Sequence, residues 1–246
     1  MIDESYEREE GLVDLQILGI FLVDASRTMR GTELKSGKPK YQRAMWMIQE
    51  VHNRLDDPQY QEAAITLAYF SAVGQDVKIV TILDDYNPYD LKTYTGNTDL
   101  TIWDPFSPAN LAQGLCNLTP IGSGLAWGFK QAAAWVTAAP GQLQRRCVIF
   151  VLSDGMNNVG PDGRQEKQAI EAFNATCEKG QIRVATIGYF QSAPGTDQED
   201  QEQAEGRKLL KDLVLNEDAY FESDDIVNIL RYILGTYTQA MHPATV

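Results

Sequence analysis

Three short, nearly continuous apolar runs stand out along the chain: Leu18 to Val23 (LGIFLV), Cys147 to Leu152 (CVIFVL) and Ile182 to Phe190 (IRVATIGYF). Rich in β-branched and aromatic residues and not strictly alternating, they predict strands covered on both faces, the pattern of a parallel sheet. Helical periodicity lies between and after them. Ala44, Ile48, Val51 and Leu55 follow one helix face, Arg164 to Lys179 and Glu202 to Leu215 are helix-rich in composition, and Asp224 to Tyr237 puts Ile226, Ile229, Leu230 and Ile233 on one side. Ile121 to Ala138 is apolar enough to be a buried helix. Its three Gly, Ser123, Gln131 and Lys130 argue against a membrane span.

Strand alternating with helix predicts an α/β fold with a doubly wound, mostly parallel sheet and helices on both faces. One segment breaks the rhythm. AAITLAYFS and DVKIVTIL, between Ala63 and Leu83, are joined only by AVGQ, too short for a crossover helix, so one edge strand should be antiparallel. From Asp84 to Asn117 the chain reads as a long polar, turn-rich loop with Tyr86, Tyr89, Tyr94 and Trp103, followed by a short helix within Ser107 to Asn117. Loops of that length are usually functional or disordered.

A length of 246 residues suits one large domain. We expect it to span residues 15–240, with an acidic extension at 1–14 and a tail at 241–246. Charge narrows the partners: 21 Lys and Arg against 34 Asp and Glu give a net charge of −13, which repels nucleic acid and anionic membranes. The acidity concentrates in MIDESYEREE and in Thr196 to Glu205, both expected to be solvated, mobile stretches. The N-terminus lacks the features of a secretory signal, and Cys116, Cys147 and Cys177 suit neither a disulfide framework nor a zinc site. These features predict a cytoplasmic protein. With only His52 and His242 present, a histidine-based metal centre or a Ser/His/Asp site has little to draw on.

In open parallel sheets ligands gather beyond the carboxyl ends of the strands. The first strand leaves through Asp24-Ala25-Ser26-Arg27-Thr28, the second core strand through Ser153-Asp154-Gly155, and Leu118-Thr119-Pro120-Ile121-Gly122 leads into the apolar helix. Two carboxylates and three hydroxyls can converge on one rim. Such an all-oxygen set selects a hard cation, Mg²⁺ or Mn²⁺, with water and one external ligand completing an octahedron. Singly, each segment reads as a helix cap or a turn before it reads as a site; their joint placement argues for function.

DASRT resembles the Asp-x-Ser-x-Ser signature of von Willebrand factor type A (vWA) domains, LTPIGSGL their second-loop Thr segment, and LSDG their third-loop Asp. Together these form a metal-ion-dependent adhesion site (MIDAS). The resemblance covers roughly Leu18 to Tyr237, with Thr28 standing where the family usually has Ser. It implies that Ser26, Thr28 and Thr119 are direct ligands, that Asp24 and Asp154 act directly or through water, and that the cation binds a partner's carboxylate. It also implies a working relation with an AAA+ ATPase. Trp103, Tyr94, Tyr89 and Tyr86 are candidates for choosing the partner, since aromatic residues in exposed loops supply much interface energy.

Two other readings stand beside this one. A phosphohydrolase of the haloacid dehalogenase-like type would use Asp24 as nucleophile, but Ser26 stands where a second Asp is expected, and the strand ends offer no Lys or Arg to steady phosphoryl oxygens. A scaffold with an unused metal site is the other. Non-enzymatic binding is the expected activity.

Overall fold

The computed structural model describes residues 15–32, 37–55, 57, 60, 62–86, 99–100, 104–112, 117–141, 143–190, 197–223 and 225–241, with backbone alone for 85–86 and 238–241. Strands β1 (Leu15–Asp24), β2 (Ala63–Val73), β3 (Asp76–Tyr86), β4 (Gln144–Ser153), β5 (Gly180–Gly188) and β6 (Tyr220–Glu222) form one sheet in the order β3-β2-β1-β4-β5-β6. Every pairing is parallel except β2 with β3. The helices are α1 (Lys40–Leu55), α2 (Pro108–Ala112), α3 (Ile121–Thr137), α4 (Arg164–Thr176), α5 (Asp197–Leu213) and α6 (Ile226–Met241).

The unbroken apolar runs follow from this layering. In β1, Ile17, Phe21 and Val23 enter a core shared with α1 and α6, while Leu18, Ile20 and Leu22 enter a second core shared with α3, α4 and α5. Period-2 alternation is hidden because both faces are dry. Phe21 and Phe150 stack across β1 and β4 with ring centroids 4.8 Å apart. Gly19 interrupts the run because α6 docks there: a Cβ at that position would lie 2.2 Å from the Tyr237 hydroxyl. A glycine inside a strand commonly marks such a close approach.

Several expectations need correction. Asp197 to Glu205 form the first turns of α5, in place of the mobile stretch that the acidity of 196–205 predicts. Its carboxylates are exposed or half-buried, and Asp197, Glu199 and Asp200 lie in the first turn, where negative charge complements the helix dipole. Asp84 to Tyr86 belong to β3, not to the following loop. The short helix expected within Ser107 to Asn117 is present at Pro108–Ala112, and residues 113–116 lie outside the described residues. β6 was not anticipated, since three half-buried residues carry too little pattern. Among the described residues no helix is long and apolar enough to cross a membrane. Residues 1–14 and 242–246, Cys116, Tyr89, Tyr94 and Trp103 lie outside the described residues, as does the side chain of Tyr86.

Candidate metal centre at the sheet's switch point

β1 continues through α1 to β2 on one side, whereas β4 continues through α4 to β5 on the other. The two central strands are neighbours, so their exit loops diverge and open a crevice, the place where open α/β sheets bind ligands. Asp24 ends β1 and Asp154 follows β4 directly.

Asp24 is fully buried. Its Oδ1 accepts the Ser26 amide at 2.7 Å and its Oδ2 accepts the Ser153 hydroxyl at 2.7 Å. Ser153 in turn accepts the Gly155 amide at 3.0 Å, so Asp24 fixes both exit loops at once. Ser26 Oγ and Thr28 Oγ1 lie 3.1 Å apart on the turn entering the 3-10 segment Arg27–Arg30. Ser26 is buried and Thr28 exposed, so the hydroxyl pair runs from the floor of the crevice to its mouth.

Thr119 is held from two sides. Leu118 and Ala72 exchange backbone hydrogen bonds, and the Ser71 hydroxyl donates to the Leu118 carbonyl. From the β4 side, Thr119 donates its amide to Asn158 Oδ1 at 2.7 Å, Asn158 returns its own amide to the Thr119 carbonyl, and Ile121 donates to Asn157 Oδ1 at 2.9 Å. Asn157 thus serves the first amide of α3, which orphans its leading N–H groups as every helix does, and Asn158 pins Thr119 two residues before that helix. The sequence reading missed both. Their signal was Asn-Asn three residues beyond Asp154, which alone reads as a turn.

Gly122 completes the lock by donating its amide to the Pro161 carbonyl at 3.2 Å. A Cβ there would meet that carbonyl oxygen at 2.2 Å. Gly122→Ala should therefore cost about 1–3 kcal/mol as an overpacking change and displace the Thr119 loop. Thermal melts and Mn²⁺ titration would both register it; an unchanged melt would mean the two loops are not locked.

Among the described residues three buried oxygens lack a hydrogen-bond partner; Glu166 Oε2 lies on α4, and the other two, Thr119 Oγ1 and Asp154 Oδ1, lie on the loops at this sheet end. Buried polar atoms are nearly always satisfied, so two orphans delivered by separate loops point to a missing partner. Burial first, and the neighbouring Asp154 charge second, push the Asp24 carboxyl up to about 7, against hydrogen bonds from Ser153 and Ser26 that favour its ionised form. A divalent cation would answer all three anomalies, and the residues present fit one. Among the described residues no group of three or more Asp, Glu, His or Cys side chains is placed to hold a metal ion. The donors are two carboxylates and three hydroxyls, the set expected of a hard cation.

The raised Asp24 pKa has a consequence for the metal-free fold. The folded protein keeps a proton that the unfolded chain releases near the ordinary 3.8, so this group's stabilisation is present at low pH and is lost as pH rises through about 7. The midpoint of the metal-free protein, measured relative to an Asp24→Asn variant that has no such proton, should fall between about pH 4 and 7. Saturating Mn²⁺ should flatten that difference.

The sequence reading found no cation beside the site, and the structure corrects it. Lys40 Nζ donates to Asp154 Oδ2 at 3.2 Å, with both side chains over nine-tenths buried. Lys40 reaches the crevice from the start of α1, not from a strand end. Its amide bonds to the Gly31 carbonyl and Thr32 pairs with Pro39, which sets the start of α1 beside Gly31 and Thr32. Beside the donors a cleft of about 360 Å³ runs between Thr28, Lys40 and Asp154 and the α5 residues Glu199, Glu202 and Gln203.

No protein-family model and no curated protein sequence matches the chain. Solved structures do. Proximal thread matrix protein 1 from the mussel byssus is similar over 92% of this chain and 49% of its own, at 17% identity and a TM-score of 0.57. A form of the same mussel protein with a zinc-occupied MIDAS motif covers 92% of this chain and 47% of its own, at 15% identity and a TM-score of 0.54. Conserved hypothetical protein BatB from Bacteroides thetaiotaomicron covers 93% and 100%, at 16% identity and a TM-score of 0.57.

The chain has a vWA-like fold.

It spans about half the length of the mussel protein, and at these identities the likeness concerns architecture alone. Within that architecture, the vWA-like sheet brings Asp24, Ser26 and Thr28 into one hydrogen-bonded group, sets Asp154 against Asp24, and delivers Thr119 to the same sheet end.

Proposed function

We propose that this chain is a metal-dependent protein-interaction module. It holds one divalent cation, Mg²⁺ or Mn²⁺, at a MIDAS formed by Asp24, Ser26, Thr28, Thr119 and Asp154. The observation that carries this reading is the pair of orphaned buried oxygens, Thr119 Oγ1 and Asp154 Oδ1, at the switch point of the sheet. The mussel structure with a zinc-occupied MIDAS motif supports it, as a divalent cation in the same fold. A cation ligated in part by neutral hydroxyls and water keeps an exchangeable position. A partner's Asp or Glu fills that position through the cleft beside Thr28.

The Lys40 ammonium favours a second reading, a phosphohydrolase, because it supplies the cation that the strand ends lack. Asp24 speaks against it. A nucleophile needs an exposed, ionised oxygen, and Asp24 is fully buried, has both oxygens bonded, and has its carboxyl pushed up by burial and by the Asp154 charge. Phosphatase turnover that requires metal and disappears in Asp24→Asn would reinstate the enzyme.

Affinity capture from a cell extract in Mg²⁺, repeated with EDTA, tests the reading. Specific partners should bind in Mg²⁺ only, and an Asp24→Asn bait should bind none of them. An AAA+ ATPase among them would establish the partnership that the family resemblance implies. Partners retained equally in EDTA would leave a scaffold with an unused site. The cytoplasmic setting belongs to this proposal; Cys147 and Cys177 are free thiols.

A further inference from the structure

Lys40 is a buried ammonium 3.2 Å from one oxygen of a residue in the candidate cation site, and neither the composition of the site nor its resemblance to a family requires it. A positive charge is a costly thing to bury unless it is paired, and Asp154 Oδ2 is the partner it has. The same carboxylate's other oxygen, Oδ1, is unpartnered among the described residues. Asp154 is thus divided between a fixed internal cation and the place left for a metal.

The charge count decides what such a division does. Asp24 and Asp154 together would neutralise a divalent cation, leaving the loaded centre with little net attraction for a further carboxylate. With the Lys40 ammonium included, the loaded centre keeps one net positive charge. The cost falls on metal affinity, since two positive charges then share one carboxylate. Burial magnifies both effects, because charges interact more strongly away from water. Resting on the MIDAS reading, we propose that Lys40 is a positioning residue that weakens the site's hold on its cation and strengthens the loaded site's hold on a partner's carboxylate.

The test uses the full chain, with Mn²⁺ and acetate as probes, and compares wild type with Lys40→Met, Lys40→Gln and Lys40→Arg. Calorimetry gives Mn²⁺ affinity; acetate affinity is read from its effect on water relaxation by the bound Mn²⁺. Lys40→Met and Lys40→Gln should bind Mn²⁺ about tenfold more tightly and acetate about tenfold more weakly than wild type, whereas Lys40→Arg should resemble wild type. Circular dichroism establishes folding, and Lys40→Gln, which can still hydrogen-bond Asp154, decides the matter if Lys40→Met does not fold. If neither neutral variant folds without metal, each is refolded in Mn²⁺; recovery of the fold at Mn²⁺ concentrations that half-saturate wild type, or below, supports the proposal, and failure to recover overturns it. Weaker Mn²⁺ binding in the neutral variants would show that Lys40 merely orients Asp154 for the metal, and unchanged affinities would show that the ion pair opens on loading. Either overturns the proposal while leaving the MIDAS reading intact. Absence of Mn²⁺ binding in wild type would instead remove the reading on which it rests.

Discussion

Asp24→Asn should fold, melt higher than wild type without metal, and lose Mn²⁺ affinity by at least about 100-fold, roughly 2.8 kcal/mol. The two signs share one cause. Burial first, and the Asp154 charge second, raise the Asp24 pKa to about 7, and the amide removes both the buried charge and that repulsion while still accepting the Ser26 N–H through its oxygen. The gain should be about 0.5–2 kcal/mol near neutral pH, the kind of stability that functional sites commonly forgo. Calorimetry and metal-free melts on the same preparation check both signs. A variant that is less stable and binds Mn²⁺ normally would make Asp24 a structural brace between the two exit loops.

Thr119→Val makes a similar crossed prediction from the other side of the crevice. The Thr119 hydroxyl is buried and unpartnered among the described residues, whereas its backbone is held by Asn158. Valine keeps the shape and removes a polar atom whose burial without a partner costs about 1–3 kcal/mol. Stability without metal should therefore rise by about 1 kcal/mol, within that range. Mn²⁺ affinity should fall by about 10–100-fold, the loss seen when even an outer partner of a metal is removed. A fall in both would mean that the hydroxyl serves the fold and not a cation.

Much of the architecture was legible because burial on both faces leaves a blunt mark. LGIFLV, CVIFVL and IRVATIG became β1, β4 and β5, and the four-residue link AVGQ could only close the β2-β3 hairpin. The DASRT and SDG segments were legible as oxygen-bearing loops at strand ends and LTPIG as one at a helix start, and the structure brings their residues to one end of the sheet. What escaped depends on tertiary contact. Lys40 opens α1 and has the spelling of an exposed helix residue; its burial and its pairing with Asp154 come from tertiary contact. Ser153, Asn157 and Asn158 act through hydrogen bonds to residues 36 to 129 positions away. The acidic run 197–205 misled because charge density was read as mobility, although Glu and Gln are good helix formers and acids suit a first turn.

The central claim is that five oxygen-bearing side chains at the β1/β4 exit hold one cation. Anomalous diffraction from a crystal soaked in Mn²⁺ tests it most directly. One strong peak is expected, within about 2.2 Å of Ser26 Oγ, Thr28 Oγ1 and Thr119 Oγ1, near the distances typical of hard-cation oxygen ligands, with Asp24 and Asp154 bound to it directly or through water. A peak only on the acidic turn of α5 around Glu199 and Asp200, or no ordered peak at the β1/β4 exit, would contradict the account.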